Sequence, residues 1–212
     1  MKNTNLLIFD LDGTLVNAYP AIIRSFNYTM KKLGYPLQDI LTIRGAVGWG
    51  DENLLRPFLK QKDLKKALSI YRAHHKDSLL QGSSLFPQVR KVLRSFKKKV
   101  YKLAVASNRP TKFSLILIRH LNLGIYFAFL LCADKIKKGK PDPAILNAIM
   151  QKFSAEPKNT LYIGDMTIDA QAGRRAHVRT IIVTTGSSTR KEIKREKPYR
   201  IISRITDLLK IL

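Results

Sequence analysis

An α/β fold, a doubly wound parallel sheet interrupted by an all-helical insertion, is what three features of this 212-residue sequence predict. Leu6 to Phe9 is an unbroken apolar run that stops at Asp10-Leu-Asp-Gly13, the pattern of a strand buried on both faces and ending in a polar loop. From about residue 83 onward, short apolar runs alternate with helical periodicity, which argues for parallel strands joined by crossover helices. Between these two regions, residues 17–82 carry only helical signals. Because one strand precedes the helical block and its sisters follow it, the core is expected at 1–16 and 83–212, with the helical block at 17–82 inserted into it.

Taken in order, Ile22, Ile23, Phe26, Met30 and Leu33 recur at spacings of three and four up to Gly34, which predicts a helix and its stop. Ile40, Leu41 and Ile43 predict a second, short helix. Three glycines in Arg44-Gly-Ala-Val-Gly-Trp-Gly50 then predict a pliant loop. Leu54, Leu55 and Phe58 give one more helical face, and Leu64, Ala67, Leu68, Tyr71 and His75 another. Gln81 to Pro87 reads as a hinge. Beyond it the expected order is helix from Val89 to Phe96, strand from Tyr101 to Ala106, helix from Thr111 to Leu121 and strand from Tyr126 to Cys132. Helix from Pro143 to Phe153, strand from Thr160 to Ile163, helix from Ile168 to Ala176 and strand from Thr180 to Val183 follow. A weak strand at Arg200 to Ile202 and a helix from Ile205 close the chain.

Composition bounds the function. The 39 Lys and Arg against 15 Asp and Glu give a net charge of +24, which raises the prospect of a polyanionic partner. The excess lies in Lys97 to Lys99, Lys135 to Lys140 and Arg190 to Lys197 without interleaved aromatic residues, so it reads as a solvated basic surface and does not favour nucleic acid. Cys132 is the single cysteine, so no intramolecular disulfide forms, which suits a reducing compartment. The apolar stretch after Lys2 is too short for a signal-peptide core, and nowhere do about 18 apolar residues run together. A cytoplasmic protein without membrane contact is expected.

In an open parallel sheet, ligands bind beyond the carboxyl ends of the strands. Asp10 and Asp12 end the first strand, Ser107 and Asn108 the second, and Asp165 the fourth, with Asp169 one helical turn later. Lys140 stands just ahead of Pro141-Asp-Pro143, after the third strand. Four carboxylates at one point require a divalent cation, and an all-oxygen donor set favours magnesium. Lys140 and Ser107 supply donors for a phosphoryl group, and Thr14 adds a hydroxyl that can donate to a bound anion. His74 and His75 are adjacent on a helix and do not share a face, so they read as surface or packing residues.

These segments, Asp10-Leu-Asp-Gly-Thr-Leu15, Ser107-Asn108, Lys140-Pro-Asp-Pro143 and Gly164-Asp-Met-Thr-Ile-Asp-Ala170, resemble in order and spacing the four motifs of the haloacid dehalogenase-like superfamily. The resemblance is to its phosphoglycolate phosphatase-like branch and covers the whole chain. It implies a Rossmann-like core with a helical cap, and a magnesium-dependent phosphatase working through an aspartyl-phosphate. In that pattern Asp10 is the nucleophile and Asp12 the acid-base group. Asp10, the backbone carbonyl of Asp12, and Asp165 hold magnesium, with Asp169 supporting it directly or through water. Ser107 and Lys140 bind the phosphoryl oxygens, Thr14 assists them, and Asn108 shapes the loop or contacts the leaving group. The Arg44 to Gly50 loop resembles the branch's substrate-specificity loop, in which Arg44 would pair with a substrate carboxylate or a second anionic group. A small phosphorylated metabolite is the implied substrate, phosphoglycolate first, then pyrophosphate or a sugar phosphate. The motifs leave open a phosphomutase of the β-phosphoglucomutase type, and the charge leaves open a non-catalytic polyanion binder.

Overall fold

The computed structural model describes residues 5–212; the first four residues of the expected 1–16 core segment, Lys2 among them, lie outside the described residues. The chain opens with β1 (Leu6–Phe9) and the two-residue β2 (Val16–Asn17). Four helices follow: α1 (Tyr19–Leu33), α2 (Ile40–Ala46), α3 (Asp51–Leu55) and α4 (Leu64–Gly82). After β3 (Ser84–Leu85) come α5 (Val89–Lys98), β4 (Lys102–Ser107), α6 (Thr111–His120) and β5 (Phe129–Cys132). The remainder is α7 (Ala144–Lys152), β6 (Thr160–Gly164), α8 (Thr167–Arg175), β7 (Arg179–Val183), α9 (Arg190–Arg195) and β8 (Arg200–Ile202).

The strands β5-β4-β1-β6-β7-β8 form one sheet in that order, and every neighbouring pair is parallel. β1 sits inside it between β4 and β6, which is why all four of its residues are apolar and buried. Alternate residues serve opposite faces. Leu7 and Phe9 join a core shared with α1, α5 and α6, whereas Leu6 and Ile8 pack with Ile145, Leu146 and Ile149 of α7 and Ala172 of α8. The chain runs from β1 outward through β4 to β5, then returns to the other side of β1 for β6. This reversal places a topological switch point between β1 and β6, where open parallel sheets leave a crevice.

The helices between β2 and β3 pack chiefly α1 against α4. Here the structure corrects several expectations. The expected helix through Leu54, Leu55 and Phe58 ends at Leu55 and continues as a 3-10 turn at Arg56–Phe58, because Pro57 has no N–H to extend α-helical bonding. The loop expected from Arg44 begins only at Val47: Asp39 accepts the N–H groups of Leu41 and Thr42 at 2.8 and 2.9 Å, starting an α2 that carries through Arg44 to Ala46. Ile40 and Leu41 are exposed and only Ile43 of that trio is buried. The hinge at 81–87 contains β3, which pairs antiparallel with β2 through Val16↔Leu85 and Asn17↔Ser84. Two residues per strand are too few for an alternation signal. The strand expected from Tyr126 starts at Phe129, since the Tyr126 N–H bonds back to Leu123 in a turn. The segment from Ile205 to Lys210 is 3-10 helical. Cys132 is buried and free, and among the described residues no helix is long and apolar enough to cross a membrane.

Candidate active site

The three polar strand ends of the sequence belong to β4, β1 and β6, which are neighbours in the sheet. Their side chains meet over its carboxyl edge. Asp10 continues the β1 ladder, its N–H donating to Ile163 O at 2.8 Å, and the chain then turns at Gly13, whose φ is +84°. A Cβ at Gly13 would overlap the Asp165 carboxylate, so the turn needs glycine for both its backbone angle and its closeness to the next strand end. Thr14 Oγ1 donates to Asp165 Oδ1 at 2.7 Å. The hydroxyl expected to meet a bound anion therefore orients a carboxylate.

Lys140 is the hub of the buried charges. Its Nζ lies 2.6 Å from Asp10 Oδ1, 2.8 Å from Asp169 Oδ1 and 3.0 Å from the Tyr162 hydroxyl, so all three ammonium donors are engaged. Tyr162 in turn donates to Asp169 Oδ1 at 2.6 Å. Asp169 Oδ2 accepts the N–H groups of Asp165 and Met166 at 3.1 and 3.0 Å, closing the first turn of α8. Asp169 thus acts as a fixed counter-charge and helix cap, with both oxygens already occupied.

Electrostatics separate the three carboxylates. Burial pushes Asp10 up to about 7; Lys140 opposes that rise while Asp169 and Asp12 add to it. Burial, followed by the charges of Asp10 and Asp169, raises Asp165 well above the usual carboxylate range. Burial also acts against ionised Asp169, but the Lys140 ammonium and the hydrogen bonds from Lys140 and Tyr162 outweigh it and hold that carboxyl low. Lys140 is kept charged because Asp10 and Asp169 outweigh its own burial.

Asp10, Asp165 and Asp169 each present an oxygen within 4.8 Å of the others. Asp165 Oδ2 is buried with no hydrogen-bond partner. Space beside it is kept open by Gly13 and Gly186, where any Cβ would overlap that carboxylate. An unpartnered carboxylate oxygen on a member of this all-oxygen cluster of three carboxylates fits a small hard divalent cation such as magnesium. Asp10 and Asp165 have free oxygen capacity to hold it.

The remaining site residues occupy the rim. Ser107 is buried, and its Oγ accepts the Arg109 N–H at 3.1 Å, which leaves the hydroxyl proton to donate elsewhere. Asn108 shapes the loops: its amide nitrogen donates to Gly48 O and Lys140 O, both at 2.9 Å, and its oxygen accepts Lys140 N–H at 2.8 Å. Arg44 stacks its guanidinium over the Tyr19 ring at 4.1 Å and reaches Gly186 O at 3.4 Å, at the margin of a hydrogen bond. It is not among the residues lining the cavity. Asp12 holds a fork-shaped ion pair with Arg109, Nε to Oδ2 at 2.7 Å and Nη2 to Oδ1 at 2.9 Å. Arg109 also donates from Nη1 to His75 Nε2 at 2.7 Å. A tight cavity of about 50 Å³ is lined by Asp10, Asp12, Ser107, Asn108, Lys140 and Asp169 on the sheet side. Ile22, Val47, Leu54 and Tyr71 close it from the helical side.

Sequence reasoning missed Arg109 and Tyr162. Arg109 directly follows Ser107-Asn108, so its place at a strand end was a usable signal. Tyr162 is one apolar-looking residue in a buried strand and gave none.

A family model of haloacid dehalogenase-like hydrolases matches residues 7–183. The chain is 30% identical to phosphoglycolate phosphatase 1 of Pseudomonas aeruginosa, over 96% of this chain and 78% of that one. It is 28% identical to phosphoglycolate phosphatase of Aquifex aeolicus, over 98% and 96% of the respective chains. A crystal structure of a predicted phosphoglycolate phosphatase from Haemophilus somnus superposes with a TM-score of 0.95 at 28% identity, covering 100% of this chain and 99% of that one.

Proposed function

Because the chain belongs to the haloacid dehalogenase-like hydrolases and is a phosphoric monoester hydrolase, we propose that it is a magnesium-dependent phosphatase of a small phosphorylated metabolite, with phosphoglycolate the first candidate. The observation that carries this reading is the unpartnered Oδ2 of Asp165, a member of the carboxylate cluster with Asp10 and Asp169, together with Lys140 bonded to Asp10 at 2.6 Å. Magnesium would be held by Asp10, the backbone carbonyl of Asp12, and Asp165, where it would neutralise these groups and screen the phosphate from the nucleophile.

Asp10 attacks phosphorus in line, forming an aspartyl-phosphate as the ester oxygen departs. Asp12 gives that oxygen its proton, then takes one from the water that hydrolyses the intermediate. Ser107 donates its free hydroxyl proton to a phosphoryl oxygen. The Lys140 donor now on Asp10 turns to a second phosphoryl oxygen once Asp10 is engaged, and Asp169 with Tyr162 keeps the ammonium in place. We read residues 17–82 as a cap over the core of 1–16 and 83–212, with the β2–β3 ribbon as its hinge. A cavity of about 50 Å³ holds only a few waters, so substrate entry requires the cap to open and catalysis to follow its closure.

Release of phosphate from p-nitrophenyl phosphate, measured with magnesium and with EDTA, tests the reading; hydrolysis indifferent to magnesium would sink it. A screen of phosphorylated metabolites then ranks phosphoglycolate against pyrophosphate and sugar phosphates.

A further inference from the structure

Asp12 is held in this structure by a fork-shaped ion pair with Arg109. Both of its oxygens are taken by Arg109, whose side chain is 6% exposed against 17% for Asp12. A general acid needs an oxygen within hydrogen-bond reach of the leaving group. The fork fixes the direction of both oxygens, so Asp12 turns toward a leaving group when the pair opens.

Among the described residues, Arg109 and Lys140 are the cations that line the cavity. Lys140 has its three donors on Asp10, Asp169 and Tyr162, and Arg44 is stacked on Tyr19 away from the lining. Arg109 does line the cavity, beside Asp12 and Ser107. It is anchored independently of Asp12, because Nη1 donates to His75 Nε2 at 2.7 Å. His75 is fully buried on α4, with Nδ1 3.0 Å from Ser25 Oγ. With Nε2 accepting, Nδ1 carries the proton and donates to Ser25, which fixes the ring. With the cap closed, letting go of Asp12 therefore does not release the guanidinium.

We propose that Arg109 is the specificity-determining residue of this site, exchanging the Asp12 carboxylate for a second anionic group on the substrate's carbon skeleton, so that binding of the right ester frees Asp12. The inference rests on the phosphatase reading with phosphoglycolate as first candidate, and assigns the residue that recognises the carboxylate of such a hydroxy-acid ester. A planar guanidinium suits a carboxylate in either partner, since both offer the same two-oxygen edge. A neutral ester leaves the Asp12 fork closed and loses turnover as well as affinity.

The test compares phosphoglycolate with 2-hydroxyethyl phosphate, which keeps the phosphate ester and replaces the carboxylate by a hydroxymethyl group. Wild type is expected to favour the acid by about 100-fold in kcat/KM, and Arg109→Gln to shrink that ratio below about fivefold. For 2-hydroxyethyl phosphate, Arg109→Gln loses less kcat/KM than it does for phosphoglycolate, because the neutral ester makes no use of the guanidinium. Arg109→Lys keeps the charge without the fork and gives an intermediate ratio. Wild type that treats the two esters alike overturns the proposal without any variant, and leaves the phosphatase reading intact. An equal loss on both esters in Arg109→Gln and Arg109→Lys also overturns it, showing a merely structural clamp. Failure to hydrolyse either ester or p-nitrophenyl phosphate with magnesium instead removes the phosphatase reading itself.

Discussion

The Tyr162 hydroxyl donates to Asp169 Oδ1 at 2.6 Å from inside the sheet, where both residues are buried. The same hydroxyl accepts from Lys140 at 3.0 Å. Tyr162→Phe removes one donor and one acceptor together and leaves two buried charges under-satisfied. It is expected to cost about 1–3 kcal/mol of stability and to lower kcat roughly tenfold with little change in KM. Urea unfolding and steady-state kinetics on p-nitrophenyl phosphate check the two effects. A variant with wild-type kcat would show that this hydroxyl does not position Lys140.

Asp10→Asn keeps the shape of the side chain and removes the attacking oxygen. Turnover should fall by at least about 10³-fold, while circular dichroism and the melting temperature report an intact fold. Any substantial residual hydrolysis would move the nucleophile elsewhere.

Magnesium binding can be read without catalysis. A ligand that binds the folded state at 100 times its Kd stabilises it by about 2.7 kcal/mol, so wild type should melt higher in magnesium than in EDTA. Asp165→Asn should abolish that difference. Gly13→Ala should also reduce it, because the added Cβ overlaps the Asp165 carboxylate. That variant should be destabilised even in EDTA, since φ of +84° disfavours any side chain. An undiminished magnesium shift in Asp165→Asn would refute the ligand assignment.

Two buried groups give opposite pH dependences in EDTA. Burial, reinforced by Arg109, pushes His75 down to about 2 from 6.5, so between these values the unfolded chain binds a proton that the folded chain does not. Stability from this group is present above pH 6.5 and declines by about 2 kcal/mol between pH 7 and 5. Asp10, raised to about 7 from 3.8, works the other way: the folded chain takes up the proton first. Its contribution rises by about 2 kcal/mol over the same interval. Relative to wild type, acidification from pH 7 to 5 should therefore be less harmful to His75→Gln and more harmful to Asp10→Asn. Denaturant melts of the three proteins at both pH values decide it, and parallel slopes would contradict both assignments.

Much of the architecture was legible because its signals are local. The apolar run of β1, the periodicity of α1 and α4, and the alternation after residue 83 need only the chain's immediate neighbours in sequence. Elements of two residues, such as β2 and β3, carry no period and were missed; α2 was misread past Arg44 because the Asp39 cap outweighed the glycines. At the site, polar residues following buried strands pointed to Asp10, Ser107 and Asp165. What they bond to was not readable: Thr14 turned to Asp165, and Arg44 to Tyr19.

By itself, the sequence determined that carboxylates, a lysine, a serine and an amide stand at strand ends of a parallel sheet, since burial and turn chemistry are written residue by residue. Only the tertiary structure decided that β1 lies between β4 and β6, which brings Lys140 to Asp10 across 130 positions and Arg109 to Asp12 across 97. Strand order arises from how whole faces pack, and a charge buried by that packing takes whichever opposite charge the neighbouring strand delivers. The Asp12–Arg109 pair is a product of that neighbourhood.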